Sequence, residues 1–222
     1  MATANSAVLS SAVEDYLKTV YALESEGERA TTSALAQRVG VSAPSATAMM
    51  KRLAALGLVE RAPYQGVVLT ESGRLAALEV IRHHRLLERY FVDVLGLALD
   101  QVHAEADALE HVLSDELEQR IDAALGFPKV DPHGDPIPDS NLSIAAQAAR
   151  TVAELVPGES AVVARIPDRD SELVRYLLEL SLAPGDRVML ERIGPFGGPM
   201  TVETQSGQHA IARELAAAIE VS

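Results

Sequence analysis

Hydrophobic positions in the first quarter of the chain recur at helical spacing. Within residues 11–26 the apolar side chains return every three or four positions, which predicts an amphipathic helix. A second helix is predicted over 31–39, with Thr31 or Thr32 as its cap, and a tight turn follows at 40–41. Ser42 can cap a third helix that ends near Leu56. A helix, a short glycine-containing turn and a helix form the helix-turn-helix pattern.

Two short strands are predicted directly behind the third helix. They are Leu58–Arg61 and Val67–Thr70, and the turn between them contains proline and glycine. A hairpin in this position is a wing, which lies near the DNA backbone in winged-helix folds. Helix-turn-helix shapes also occur in proteins that never touch DNA. The wing and the small polar residues at the start of the third helix favour DNA binding.

The middle of the chain predicts two long amphipathic helices, over 71–95 and 100–125. Without an obvious third partner, they leave a face for a second subunit. Residues 126–145 contain four prolines and two glycines, which is typical of an extended tether.

The last third changes to alternating strand and helix signals. The strings ESAVVARI and GDRVML predict strands, and DSELVRYLLELSL between them predicts a helix. We therefore expect a small β-barrel with one inserted helix. The whole chain is predicted to be mainly α with small β parts.

Composition narrows the classes of protein. The 222 residues include no cysteine, which excludes disulfides and thiolate metal sites. No apolar run approaches the roughly 18–20 residues that a membrane helix needs, so we expect no membrane partner. The amino terminus is a poor signal peptide, and a cytoplasmic location is the expectation.

The charge is unevenly distributed along the chain. The net charge of −13 argues at first sight against nucleic acid. Residues 1–74, however, hold seven basic and seven acidic side chains, and the acid excess lies in 75–150 and 151–222. A DNA-binding first domain is therefore compatible with the charge.

The stretch HAEADALEHVLSDE, residues 103–116, interleaves histidines and carboxylates. On a helix, Asp107 lies about 40° from His103, Glu110 about −20° and His111 about 80°, so four ligand-capable groups share one arc. They suit a divalent cation. Acidic residues are also common on solvated helix faces, and spacing alone leaves both interpretations open.

The preceding helix adds a second pair. His84 and Glu88 lie at i and i+4 and therefore share a face. Four of the six histidines fall between 83 and 111, which strengthens the metal interpretation.

Enzyme motifs are missing from the sequence. There is no His-Glu-x-x-His string, no phosphate-binding loop and no Gly-x-Ser-x-Gly elbow. His103-Ala-Glu105 matches a deaminase fragment, but the partner cysteines of that motif do not exist here. We expect no enzyme and no organic substrate, and a metal-dependent hydrolase is the weaker alternative.

The order of these motifs resembles a known family. A helix-turn-helix and wing, then HHRLLERYF, QVHAEADALEHVLSDE and GFPKVDPHGDPIP, resemble the diphtheria-toxin-repressor family, most closely its manganese-transport-regulator branch in actinobacteria. IPDRDSELVRYLLELSLAPGDRV resembles the third, SH3-like domain of that family. The resemblance runs from about Ser11 to the end of the chain.

The resemblance implies three domains. They are a winged helix-turn-helix over 1–74, a helical metal-binding and dimerisation domain over 75–145 with the Pro-rich tether at 126–145, and an SH3-like β-barrel over 146–222.

The resemblance also implies two metal sites. The primary ligands would be Asp15, Asp107, Glu110 and His111, and the ancillary ligands His84, Glu88 and His103. From the third domain, Asp170 falls where a carboxylate is expected, and Glu172 would substitute for the next ligand because Leu173 cannot coordinate. His83 is expected not to be a ligand, and His133 and His209 are expected at the surface.

The implied metal is Mn²⁺. Iron-responsive members of the family carry a sulfur ligand at the positions that match Asp15 and Asp107, whereas both are carboxylates here. Oxygen-rich sites suit Mn²⁺, although Fe²⁺, Co²⁺ and Zn²⁺ remain alternatives. Metal affinity should weaken below about pH 6, where imidazoles take up protons.

The implied function is a metal-dependent repressor that binds a palindromic double-stranded operator as a homodimer and controls manganese uptake. An iron-dependent regulator of the same family, or a winged-helix regulator that responds to an organic effector, is the alternative. The expected DNA contacts are Ser42, Pro44, Ser45, Thr47, Lys51 and Arg52, with Tyr64 and Gln65 at the tip of the wing.

Overall fold

The structure is a computed structural model that describes residues 9–62, 66–144 and 150–222. The chain divides into two units. The first contains the residues up to His83 together with Pro138–Ser143, and the second contains His84–Ile137 and Ile144–Ser222.

The first unit contains the helix-turn-helix. Its helices are α1 (Ser11–Ser25), α2 (Thr32–Val39), α3 (Ala43–Ala55) and the first half of α4 (Glu71–Asp93). The side chain of Thr31 accepts a hydrogen bond from the Ala34 amide, and Ser42 accepts one from the Ser45 amide. Both predicted caps are confirmed, and so are the three helices that they delimit.

The wing is an antiparallel hairpin. Strand β1 (Val59–Ala62) pairs with β2 (Gly66–Leu69), with Val59 opposite Leu69. The residues between the strands, which include the predicted DNA contacts Tyr64 and Gln65, lie outside the described residues.

One carboxylate joins the first helix to the wing. Glu24 on α1 accepts the Leu69 amide at Oε1, at 2.8 Å, and the Arg74 guanidinium at Oε2, at 2.6 Å. Apolar side chains of α1, α2 and α3 pack with those of both strands in one buried core. The hairpin is therefore fixed to the helices that it follows.

The helical part of the second unit differs from the prediction. The single helix expected over 100–125 is wrong: α5 (Val102–Leu109) runs into a 3-10 turn at Glu110–Val112, and α6 (Asp115–Ala124) starts afresh. The hydroxyl of Ser114 accepts the Leu117 amide at 3.3 Å and caps α6. Carboxylates in the first turn of α6 add a favourable interaction with its amino-terminal dipole.

Much of the Pro-rich segment is folded rather than extended. Within the 129–137 loop, the amide of Asp131 donates to the carbonyl of Asp135, and the amide of Ile137 donates to that of Lys129. Asp131, His133 and Asp135 are buried. The prediction of an extended tether is wrong for this part of it.

The carboxyl-terminal region is an antiparallel sheet with helices. Its elements are β3 (Arg150–Thr151), β4 (Ser160–Arg165), α7 (Ser171–Glu179), β5 (Arg187–Ile193), β6 (Met200–Thr204), β7 (Gly207–Ile211), α8 (Arg213–Ala218) and β8 (Glu220–Val221). The strand order is β3-β8-β4-β5-β6-β7. Among the described residues β3 and β7 do not pair, so the expected barrel is not closed. Helix α8 was also not predicted.

Candidate metal centre

Two helices of the second unit bring the predicted ancillary ligands together. His84 and Glu88 lie one turn apart on α4, and His103 lies on α5. The Nε2 atom of His84 is 3.0 Å from Oε1 of Glu88 and 3.1 Å from Nδ1 of His103. Nδ1 of His103 is 3.2 Å from the same Glu88 oxygen. We call these three residues the helix cluster.

A carboxylate of the third domain approaches the helix cluster, but it is not the one expected. Oδ2 of Asp168 lies 3.9 Å from Nδ1 of His103. Asp170 instead caps α7, where it accepts the amides of Glu172 and Leu173. Glu172 is exposed in the first turn of that helix.

The other nitrogen of His84 faces two predicted primary ligands. Its Nδ1 atom lies 2.6 Å from Oε2 of Glu110 and 3.3 Å from Oδ1 of Asp107. The Nε2 atom of His111 lies 3.4 Å from Oε1 of Glu110. Three of the four predicted primary ligands are thus close to one another. Asp15 belongs to the first unit, and its part in the site stays a prediction.

A third group of donors lies on the far side of Glu88. Asp131 and His133 of the 129–137 loop face Oε2 of that residue, with His133 Nδ1 3.7 Å away from it. Glu88, Asp131 and His133 each offer one donor atom within 4.8 Å of the others. We call them the loop cluster. All three are buried, and the expectation that His133 lies at the surface is wrong.

Three buried atoms of the loop cluster lack a hydrogen-bond partner among the described residues: Oε2 of Glu88, Oδ2 of Asp131 and Nδ1 of His133. Buried polar atoms are nearly always satisfied, so three convergent exceptions require an explanation. All three are atoms that bind divalent cations. The residues present therefore fit a bound cation.

Hydrogen bonds orient the side chains of Asp131 and His133 so that these atoms face one another. Oδ1 of Asp131 accepts the amides of His133 at 2.8 Å and Asp135 at 2.9 Å, which leaves Oδ2 for a ligand. Nε2 of His133 donates to the carbonyl of Leu99 at 3.1 Å. A hydrogen bond of this kind fixes the imidazole tautomer and presents the other nitrogen for coordination.

Burial and neighbouring carboxylates shift the pKa values of groups in both the loop cluster and the helix cluster. Burial lowers the pKa of His133, but the carboxylates of Glu88 and Asp131 outweigh it and raise that pKa to about 9. Burial raises the pKa of Asp131 well above its usual range, and Asp135 and Glu88 add to the effect. Burial also lowers the pKa of His84, yet Asp107, Glu110 and Glu88 raise it well above the ordinary value. Each raised pKa means that a metal ion at these atoms competes with a proton up to a higher pH than usual.

The predicted DNA contacts that the structure describes lie on or beside α3. Ser42, Pro44 and Ser45 are exposed at its start, and Lys51 and Arg52 are exposed near its end. One of these hydroxyl groups already has a partner within the helix, because the Thr47 hydroxyl donates to the Ala43 carbonyl at 2.9 Å. The oxygen of Thr47 keeps a lone pair and its methyl group is available for apolar contact.

Three family models match successive parts of the chain. Residues 8–67 match the iron dependent repressor N-terminal DNA binding domain, and 70–139 match the iron dependent repressor metal binding and dimerisation domain. Residues 150–222 match the FeoA domain. The iron-dependent repressor IdeR of Mycobacterium tuberculosis is 34% identical over 220 residues, which cover 94% of this chain and 95% of that protein.

The chain belongs to the diphtheria-toxin-repressor family of metal-dependent transcriptional repressors. The diphtheria toxin repressor of Corynebacterium diphtheriae is 40% identical over 125 residues, which cover 56% of this chain and 55% of that repressor. As a member of this family, the chain is a DNA-binding repressor and not an enzyme.

Solved structures of this family place the chain near manganese regulators. A manganese-dependent transcriptional repressor in complex with manganese has a TM-score of 0.86 and 39% identity, and the match covers 94% of this chain and 98% of that one. The manganese regulator SloR has a TM-score of 0.80 and 31% identity, with 95% and 97% covered. These neighbours support the manganese-regulator branch of the diphtheria-toxin-repressor family.

No helix in the described parts of the chain is long and apolar enough to cross a bilayer.

The loop cluster is the part of the candidate metal centre that sequence reasoning missed. The string DPHGD carries Asp131 and His133 two positions apart in a glycine-containing turn. A pair of ligands at this spacing on a turn was the available signal. That pair can be read as part of a metal cluster only together with Glu88, which is distant in sequence.

Proposed function

We propose that this repressor binds a palindromic operator as a homodimer in the cytoplasm when it is loaded with Mn²⁺, and that it controls manganese uptake. The observation that carries the proposal is the donor set. The helix and loop clusters consist of carboxylates and imidazoles without sulfur, and three of the buried donor atoms have no hydrogen-bond partner in the described parts of the chain.

The donor chemistry supports Mn²⁺ over softer metals. Carboxylate oxygen suits Mn²⁺, whereas thiolate and thioether ligands select softer ions. Relatives named for iron and for manganese both resemble this chain, so Fe²⁺ is the alternative within the family. For a given site Zn²⁺ binds more strongly than Mn²⁺, and selectivity would have to come from coordination number and geometry.

We assign the metal positions as follows. The primary set is Asp15, Asp107, Glu110 and His111. The second region contains the helix cluster with Asp168, and the loop cluster beside it. Glu88 belongs to both parts of this region, because its two carboxylate oxygens face different partners.

Exposed apolar side chains support a dimer. In a protein of this composition, large apolar groups that remain exposed close together in sequence are candidates for an interface. The helical part of the second unit exposes Leu109, Val112, Leu117 and Phe127, of which Val112 is 76% exposed. We propose that a second copy of the chain covers them.

The dimer would present two recognition helices to the operator. Two-fold helix-turn-helix dimers bind half-sites about 34–36 Å apart or a multiple of this distance. The α3 surface offers small polar groups to base edges and Lys51 and Arg52 to phosphates. Because none of the exposed side chains at the start of α3 is an arginine, part of the specificity would come from DNA shape.

Residues of this chain would couple metal binding to operator binding. The carboxylates of Asp107 and Glu110 both approach Nδ1 of His84, at 3.3 Å and 2.6 Å, and Nε2 of His111 lies 3.4 Å from Glu110. A bound divalent cation supplies the positive charge that carboxylates crowded in this way require. Asp15 on α1 is the proposed ligand from the DNA-binding domain, so its engagement would favour one arrangement of the recognition helices.

The test is operator binding measured by fluorescence anisotropy with Mn²⁺, Fe²⁺, Zn²⁺ or EDTA. Mn²⁺ should permit binding at nanomolar protein, and EDTA should abolish it. His111→Ala should remove metal activation while unfolding normally in EDTA. His209→Ala is the matched control, since that imidazole contacts Ser206 in the sheet, far along the chain.

Three results would count against the proposal. Binding that is indifferent to EDTA would support an effector other than metal. Activation by Fe²⁺ at concentrations where Mn²⁺ is inactive would support the iron-dependent alternative. Unchanged Mn²⁺ activation in His111→Ala would remove that residue from the primary set.

A further inference from the structure

The 129–137 loop is held from both sides by arginines. Arg85 follows His84 on α4, and its Nη1 donates to the carbonyl of Pro136 at 2.6 Å while Nη2 donates to Oδ1 of Asp135 at 3.0 Å. Arg165 at the end of β4 donates to the same Asp135 oxygen at 3.3 Å. The guanidinium of Arg85 thus makes a forked contact with a backbone oxygen and a side chain of the loop.

Arg85 also lies close to a donor atom of the loop cluster. Its Nε is 3.8 Å from Oδ2 of Asp131, which has no hydrogen-bond partner among the described residues. The distance is too long for a hydrogen bond, so the guanidinium lies beside this oxygen without occupying it. The atom that faces the cluster remains available for coordination.

Three residues of one turn on α4 therefore serve the same region. His84 and Glu88 supply donor atoms, and Arg85 between them holds the segment that supplies Asp131 and His133. Contacts that orient metal ligands commonly change metal affinity when they are removed, because the ligand must then be ordered on binding.

We propose that Arg85 is the positioning residue of the loop cluster: its forked contact with Pro136 and Asp135 holds Asp131 and His133 at the distance from Glu88 that a divalent cation requires. The inference rests on the proposed metal site at Glu88, Asp131 and His133. The geometry of the fork, rather than the positive charge alone, is what the site needs.

Two substitutions separate geometry from charge. Arg85→Gln removes both the charge and the fork. Arg85→Lys keeps the charge but cannot donate to Pro136 and Asp135 from a planar group. Arg89→Gln is the matched control, because Arg89 lies one turn further along α4 and pairs only with Asp93 among its described contacts.

The measurements use the full chain. Isothermal titration with Mn²⁺ gives the number and strength of binding steps. Titration with Zn²⁺, followed by the ¹⁵N resonances of histidine side chains, identifies the step in which Nδ1 of His133 is coordinated. Thermal unfolding in EDTA shows whether each variant folds.

We expect both Arg85 variants to need roughly 10–100-fold more metal for the step that shifts His133, and Arg89→Gln to titrate like the wild type. Steps that do not shift His133 should change less. If Arg85→Gln does not fold, Arg85→Lys and Asp135→Asn, which weakens the same fork from the loop side, give the comparison.

The outcomes separate the inference from the site on which it rests. If His133 of the wild type never shifts with Zn²⁺, the loop cluster is not a metal site and the role of Arg85 falls with it. If His133 shifts in the wild type and equally in Arg85→Gln, the site stands and the inference is overturned. Full recovery of affinity in Arg85→Lys would also overturn it, because charge alone would then suffice.

Discussion

His84 and Glu110 are joined directly: Nδ1 of the imidazole lies 2.6 Å from Oε2 of the carboxylate. Sequence reasoning assigned the histidine to the ancillary site and the glutamate to the primary site. Their contact means that the two sets of donors touch one another directly. A substitution at either residue should therefore change metal binding by both sets of donors.

The first prediction concerns this coupling. His84→Gln should weaken Mn²⁺ binding at both positions, because Glu110 loses its partner and the helix cluster loses a nitrogen donor. Combined with His111→Ala, its effect on affinity should be less than the sum of the two single effects. Isothermal titration of the single and double variants measures this. Strict additivity would show that the two positions act independently.

The second prediction concerns pH. The pKa of His133 is raised to about 9 by Glu88 and Asp131 against the opposing effect of burial, and metal needs the deprotonated imidazole. Affinity should therefore keep rising from pH 6 towards pH 9, rather than level off just above the ordinary histidine value of 6.5. The sequence predicts weaker metal binding below about pH 6, and the raised pKa of His133 extends the expected dependence to higher pH.

Proton release provides the measurement. At pH 7.5, titrations with Mn²⁺ in buffers of different ionisation enthalpy should show that His133→Gln releases about one proton fewer than the wild type. His209→Gln should release as many as the wild type does. Equal release from all three proteins would mean that His133 is neutral before metal arrives.

The third prediction concerns Gly134, whose φ is +96°. A Cβ atom there would lie 2.0 Å from the carbonyl oxygen of Ala164. Gly134→Ala should both strain the backbone and push the 129–137 loop away from β4, with loss of metal at the loop cluster. Gly158→Ala is the control, because it has φ +88° but nothing within 4 Å of the added Cβ.

Chemical denaturation in EDTA should separate the free-energy cost of the strained backbone from the cost of the clash with β4. The control should lose roughly 1–2 kcal/mol of unfolding free energy from the left-handed conformation alone. Gly134→Ala should lose clearly more, because the clash is with backbone. Equal losses would indicate that the loop can move away from β4 freely.

The fourth prediction concerns the operator. Lys51→Ala should weaken binding of the metal-loaded protein to all DNA sequences alike and lower the salt dependence by about one counterion, since it is assigned to a phosphate. Arg213→Ala, which removes an exposed cation from α8, should leave both quantities unchanged. A loss confined to one base pair of the operator would instead assign Lys51 to base recognition.

Local signals accounted for what was predicted correctly. Thr31 and Ser42 cap their helices through bonds to residues three positions ahead, so the sequence contains the whole interaction. His84 and Glu88 share a face because of the helical repeat. Such contacts involve neighbours in the chain and can be inferred without a structure.

Some errors came from misread local signals. Ser114, followed by Asp115 and Glu116, is a helix start, yet the apolar repeat across it favoured one continuous helix. Asp170 likewise precedes a helix and caps it, which leaves Asp168 to approach His103. In both cases the capping role of a polar side chain competed with another interpretation.

The 129–137 loop could not have been placed from its own sequence. Its proline and glycine content is that of an exposed linker. What buries it is distant in the chain: Arg85 on α4, the carbonyl of Leu99, and the Ile166 amide, which donates to the His133 carbonyl at 3.0 Å. These contacts turn a polar segment into part of the interior.

The division of Glu88 between two groups of partners limits how metal preference could be altered. One of its oxygens serves the helix cluster and the other serves the loop cluster, so any replacement changes both at once. Asp131 belongs to the loop cluster alone, so it is the position from which that cluster could be altered separately. His103 offers no such freedom, because its Nε2 also lies 3.6 Å from Oδ2 of Asp107 in the proposed primary set.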